Sequence, residues 1–92
     1  MTAAVEHQPG RFVLRVEGYE AELVYERRGG VLDIQDTFTP PPLRGRELAA
    51  RLTEAAFAYA RSEGLRVVPT CSYAARYVED HPEVRGLVED VG

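Results

Sequence analysis

From Arg11 onward the side chains alternate between two faces. Phe12, Leu14 and Val16 face one way while Val13, Arg15 and Glu17 face the other, the two-residue period of a half-buried strand. Glu17-Gly18 supplies a tight turn, because glycine accepts positive φ without steric cost. Tyr19, Ala21, Leu23 and Tyr25 then share a face against Glu20, Glu22, Val24 and Glu26, and Arg28-Gly29-Gly30 closes a second hairpin. A third strand puts Leu32, Ile34, Asp36 and Phe38 on one face and Val31, Asp33, Gln35 and Thr37 on the other. The expectation is a three-stranded antiparallel meander. Asp36 interrupts its core face and reads in two ways: a strand end already meeting water, or a carboxylate aimed into a cleft where it acts as a base.

The period then changes from two to between three and four. Pro40-Pro41-Pro42 cannot join a central ladder, holds the chain extended and ends the strand. After Arg44-Gly45, Leu48, Leu52, Ala55, Ala56 and Tyr59 lay one apolar stripe along a helix, with Arg51, Glu54, Arg61 and Glu63 largely off it. Gly64 is a fitting C-terminal cap. The β-branched run from Leu65 to Thr70 returns as a fourth strand, parallel to the third across a right-handed crossover, with Pro69 marking a bulge or splayed edge. Ser72 to Asp80 fits a shorter helix that stops before His81-Pro82, followed by a partly ordered tail or a short final turn through Gly92. With residues 1–9 as a loose, flexible lead-in, residues 10–92 read as one α/β domain.

Composition narrows the class. Ninety-two residues, 45% hydrophobic and 28% charged, suit one small soluble core. A net charge of -4 gives no broad footprint for nucleic acid or an anionic membrane, although a local basic cluster can still hold a small anion. One cysteine precludes an intramolecular disulfide, and no apolar run approaches a membrane span or signal peptide, so a cytoplasmic protein is expected. No residues stand at metal-ligand spacing.

The chemical opportunity lies where the long helix begins. Its first free N–H groups point into the Arg44-Gly45 loop and favour an anion there, with Arg44 and Arg46 adding charge. Cys71 sits at the junction of the fourth strand and second helix, where N–H groups favour a thiolate; the alternative is a buried thiol packed as a small hydrophobe. Tyr73 and Tyr77 share a face of the second helix, as core residues with polar tips or as cleft lining. His81 reads as structural, and His7 as solvated in the lead-in.

The motifs D-T-F-T-P-P-P-L-R-G at 36–45, G-L-R-V-V-P-T-C-S-Y at 64–73 and H-P-E at 81–83 resemble those of very small GNAT-type N-acetyltransferases, over roughly Phe12 to Leu87. The resemblance implies a minimal GNAT-like fold that binds acetyl-CoA and transfers acetyl to an amine. By position it implies that Arg44, Gly45, Arg46, Glu47 and Leu48 hold the pyrophosphate and that Val67 and Val68 offer backbone groups to pantetheine. Cys71 would either carry the acetyl group or line the cleft while the amine attacks directly, with Asp36 taking the proton. Two positions depart from the pattern: Glu47 replaces the glycine usual two residues after Gly45, and Asp36 stands where many small members carry histidine. The alternative function is a CoA-binding or protein-interaction module that has lost catalysis. The acceptor would be a small metabolite, a peptide end or a lysine, and the protein a monomer or homodimer.

Overall fold

The computed structural model describes residues 4–89. Five strands form one sheet in sequence order: β1 (Glu6–Gln8), β2 (Arg11–Val16), β3 (Tyr19–Arg28), β4 (Val31–Phe38) and β5 (Arg66–Pro69). The first four pair antiparallel, and β5 returns parallel to β4 after helix α1 (Leu48–Glu63). Helix α2 (Ser72–Asp80) follows β5, and a 3-10 turn over Pro82–Leu87 leads Val88 back beside Val67. The α/β class and the meander, helix, parallel strand and second helix expected from the sequence are all present. Among the described residues, no helix is long and apolar enough to cross a membrane.

The alternation does what the pattern requires. Phe12, Leu14, Ala21, Leu23, Tyr25, Leu32 and Ile34 are buried together on the sheet face that α1 covers. From α1 come Leu48, Leu52, Thr53, Ala56, Phe57 and Ala60. The buried stripe is therefore wider than the expected one, because the helix also packs against α2, where Phe57 stacks on Tyr77. Thr53, mid-helix and fully buried, donates its hydroxyl to the Ala49 carbonyl at 2.8 Å, so burial leaves no unpaired donor. Gly64 ends α1 in the left-handed region (φ 68°), its N–H reaching the Ala60 and Arg61 carbonyls.

Three expectations need correction. Residues 6–8 of the presumed lead-in form β1 on the sheet edge; residues 1–3 of it, and residues 90–92 of the expected tail, lie outside the described residues. His7 is not simply solvated: its ring stacks on Phe12 at 4.2 Å between centroids, meets Tyr59 edge-on, and its Nε2 hydrogen-bonds the Tyr25 hydroxyl. The segment had no alternation long enough to announce a strand, and three residues suffice because side-chain contacts add to its short ladder with β2. His7→Ala is expected to lower stability by ~1 kcal/mol, read as a lower urea midpoint at unchanged slope. The prolines are not uniformly extended either: Pro40 is, but Pro41–Leu43 make one 3-10 turn that buries Leu43.

The fourth correction matters most for the site. A β-bulge between Ile34 and Asp36 shifts the register of β4 on β3, so that Tyr25 faces Ile34 whereas Val24 faces Asp36. The extra residue, Gln35, inverts the alternation beyond it. Thr37, opposite Leu23, joins the helix-covered face; Asp36 and Phe38, opposite Val24 and Glu22, turn to the open face.

Candidate functional site

The segment between β4 and α1 builds an N–H-lined cradle. Leu43 anchors it in the core, and Gly45 (φ 85°) and Glu47 (φ 60°) both take left-handed conformations that swing the chain into α1. A Cβ on Gly45 would meet nothing within 4 Å, so glycine is required there by φ rather than by crowding, and the space beside it is open. The first main-chain bond into α1 is Arg51 N–H to the Glu47 carbonyl at 3.2 Å. The N–H groups of Leu48, Ala49 and Ala50 therefore have no partner within the helix, and Glu47 provides no side-chain cap. A cavity of about 290 Å³ opens against this helix start, lined by Thr39, Leu43, Arg44, Gly45, Glu47, Leu48, Ala49 and Tyr73.

Beside the cradle the sheet comes apart. Pairing of β4 with β5 ends at Ile34 opposite Pro69, and the Cys71 N–H still reaches the Ile34 carbonyl at 2.9 Å. Beyond that bond β4 runs on to Phe38 while the chain after β5 turns away into α2. Pro69, with no N–H to give, and the Gln35 bulge fall at the same level, so sequence and register open the wedge together. Within it, the Cys71 sulfur contacts the Thr37 hydroxyl at 3.6 Å, and the thiol is buried. Asp36 is exposed on the other side of β4 and carries no side-chain hydrogen bond or ion pair among the described residues.

A family model described as GCN5-related N-acetyl-transferase matches residues 11–87, which span the meander, the cradle, the wedge and both helices. The chain belongs to the GCN5-related N-acetyltransferase family. It is similar to Protein NATD1 of Danio rerio, 37% identical over 88 residues that cover 90% of this chain and 80% of the relative. It is equally similar to Protein NATD1 of Homo sapiens, 37% identical over 83 residues, 85% of this chain and 74% of the relative. The NMR solution structure of a GCN5-like protein from Staphylococcus aureus has the same fold, with a TM-score of 0.74 at 18% identity over 98% of this chain and 91% of that one.

In this N-acetyltransferase-family chain the residues singled out from the sequence fall into three places. Arg44, Gly45, Glu47 and Leu48 line the cradle, whereas exposed Arg46 ion-pairs with Glu17 of the β2–β3 turn. Arg44 folds back so that its Nε donates to the Thr39 carbonyl at 3.3 Å. Cys71 and Thr37 meet at the wedge, with Asp36 across the strand from them. Val67 is fully buried, paired with Leu32 of β4, and its carbonyl accepts the Glu89 N–H at 2.8 Å; Val68 is half-buried opposite Asp33. The outer edge of β5 at Val67 is thus covered by the segment after the last turn.

Tyr73 belongs to the site and Tyr77 to the core, although they sit one turn apart. Tyr77 is buried between Phe57 and His81, whose Nδ1 hydrogen-bonds the Tyr77 carbonyl at 2.9 Å. Tyr73 is half-buried on the cradle wall; burial pushes its hydroxyl pKa up, and the carboxylates of Glu47 and Asp80 add to the rise. Its O–H therefore stays protonated at neutral pH and is available as a donor. Thr37 is the site residue that the sequence pattern placed on the wrong face, since an extra polar residue in a strand leaves no mark on composition.

Proposed function

We propose that this chain binds acetyl-CoA at the cradle and transfers the acetyl group to an amine. The observation that carries this reading is the cradle itself: unpartnered N–H groups at the start of α1, on the helical face, opening beside the wedge between β4 and β5. The pyrophosphate would lie against Gly45 to Leu48, where the helix dipole and main-chain donors favour negative charge. The acyl arm would then run to the wedge, and the unpaired β4 edge beyond Ile34, rather than the covered Val67, would offer it main-chain hydrogen bonds.

With the cofactor on the helical face, the amine approaches from the open face, where Asp36 stands. Asp36 accepts the proton that the ammonium must shed, and the freed nitrogen attacks the thioester carbonyl. The carbon–sulfur bond breaks, and the nitrogen gives up its second proton as the amide forms; that proton passes through Tyr73 or water to the departing CoA thiolate. Cys71 lines the wedge in this scheme. Its thiol is buried, and among the described residues its one side-chain neighbour at hydrogen-bond range is a hydroxyl, so no side-chain base stands beside it to make it an acyl carrier. The acceptor is a small-molecule or peptide amine.

Isothermal titration of the purified chain with CoA, followed by mass spectrometry of an amine panel incubated with acetyl-CoA, tests the reading. Saturable heat and a 42-dalton gain on an amine, as acetylation adds about that mass, are expected. Absence of both at millimolar CoA would remove the cofactor and the activity with it.

A further inference from the structure

We propose that the ion pair between Glu17 and Arg46 is a latch that holds the cradle's arginine away from an incoming anion, and this rests on the cradle being the CoA site. Among the described residues, the only non-glycine positions with positive φ are Glu17 (53°) and Glu47 (60°). Left-handed backbone is unfavourable for a residue with a Cβ, and glycine adopts it freely. Both costly positions nevertheless hold glutamate, and both glutamates flank one loop. Glu47 lines its cavity, while Glu17 reaches from the β2–β3 turn to grip the Arg46 guanidinium. The positive φ at Glu17 is set by the two-residue β2–β3 hairpin, and what the residue adds there is the carboxylate that meets Arg46.

The charge arithmetic gives that contact a direction. Arg44 and Arg46 would make the loop strongly attractive to a pyrophosphate, but Glu17 and Glu47 return it to a neutral sum. Arg46 is half-exposed (46%) and Glu17 more so (63%), so the pair is labile, and phosphate oxygens can displace the carboxylate. Binding of the anion and formation of the latch are thus competing events on one guanidinium. The β2–β3 turn is thereby coupled to occupancy of a loop that lies 29 residues away in sequence.

Titration calorimetry with CoA on the wild type, Glu17→Gln, Arg46→Gln and the double variant tests this. An exposed pair of this kind predicts a two- to fivefold tighter dissociation constant, about what its usual strength allows, for Glu17→Gln. The gain should vanish when Arg46 is already glutamine. If wild type and Glu17→Gln bind CoA equally, or Glu17→Gln binds more weakly, the latch is overturned while the cofactor site stands. If neither binds CoA, the site and the latch fall together.

Discussion

Replacing Glu47 by glycine is expected to stabilise the fold and to tighten CoA binding about fivefold. The two effects have separate causes. Glu47 holds φ 60° at the first step into α1, with no side-chain cap to compensate. Relief of that conformation is worth roughly 1–2 kcal/mol, against which glycine's greater freedom in the unfolded chain costs about 0.5–1. The net is about 0.5–1 kcal/mol of added stability, seen as a higher urea midpoint at constant slope. Strain relief alone changes affinity only if binding alters the backbone at this position. Affinity changes through charge: a carboxylate within ~4 Å of a phosphate opposes it by about 1 kcal/mol even in water-like surroundings, roughly a factor of five. An unchanged dissociation constant would mean that the carboxylate swings clear of the ligand. A jump from no binding to firm binding would favour a module that has given up catalysis over an enzyme.

Most of the fold was legible because side-chain period and backbone period agree. The alternation from Phe12 to Ile34 fixed three strands and their common face, and the glycine pairs fixed the hairpins. The helix from Leu48 to Glu63 and the helix from Ser72 to Asp80 followed from apolar spacing, the Gly64 cap and the stop at His81-Pro82. What escaped has a common physical origin, since it depends on partners far along the chain. Gln35 is unremarkable within its strand, and only pairing with β3 reveals it as the residue that reverses Asp36 and Thr37. His7 looks solvated until Phe12, Tyr25 and Tyr59 are folded around it. Phe57 declares its role only against Tyr77 of another helix. The cradle was readable as a motif, because Arg-Gly ahead of a helix carries its chemistry locally. The pairing of Arg46 with Glu17 was not, because that contact joins two turns that nothing in the local pattern links.

The reversal at Gln35 makes the division of labour at the wedge testable. Asp36→Asn is expected to lower kcat/KM by about 10²–10⁴, the usual range for loss of a positioned base. Cys71→Ala should cost less than about tenfold, because a lining thiol contributes packing and not a covalent step. Fold stability separates these effects from damage. Asp36 is exposed and without a side-chain partner, so its amide variant should melt with the wild type, whereas Cys71→Ala removes buried volume and should melt lower. A pH series sharpens the distinction. The acceptor must lose a proton before it attacks, and a lysine-like amine does so unaided only near pH ~10.4. The deficit of Asp36→Asn should therefore shrink as pH rises toward that value, while any deficit of Cys71→Ala stays constant. The opposite pattern, with Cys71→Ala inactive and an acetylated thiol trapped on the Asp36→Asn protein, would replace direct transfer by a two-step route. That route would also require the buried Cys71 sulfur to give up its contact with the Thr37 hydroxyl and turn toward the open end of the wedge.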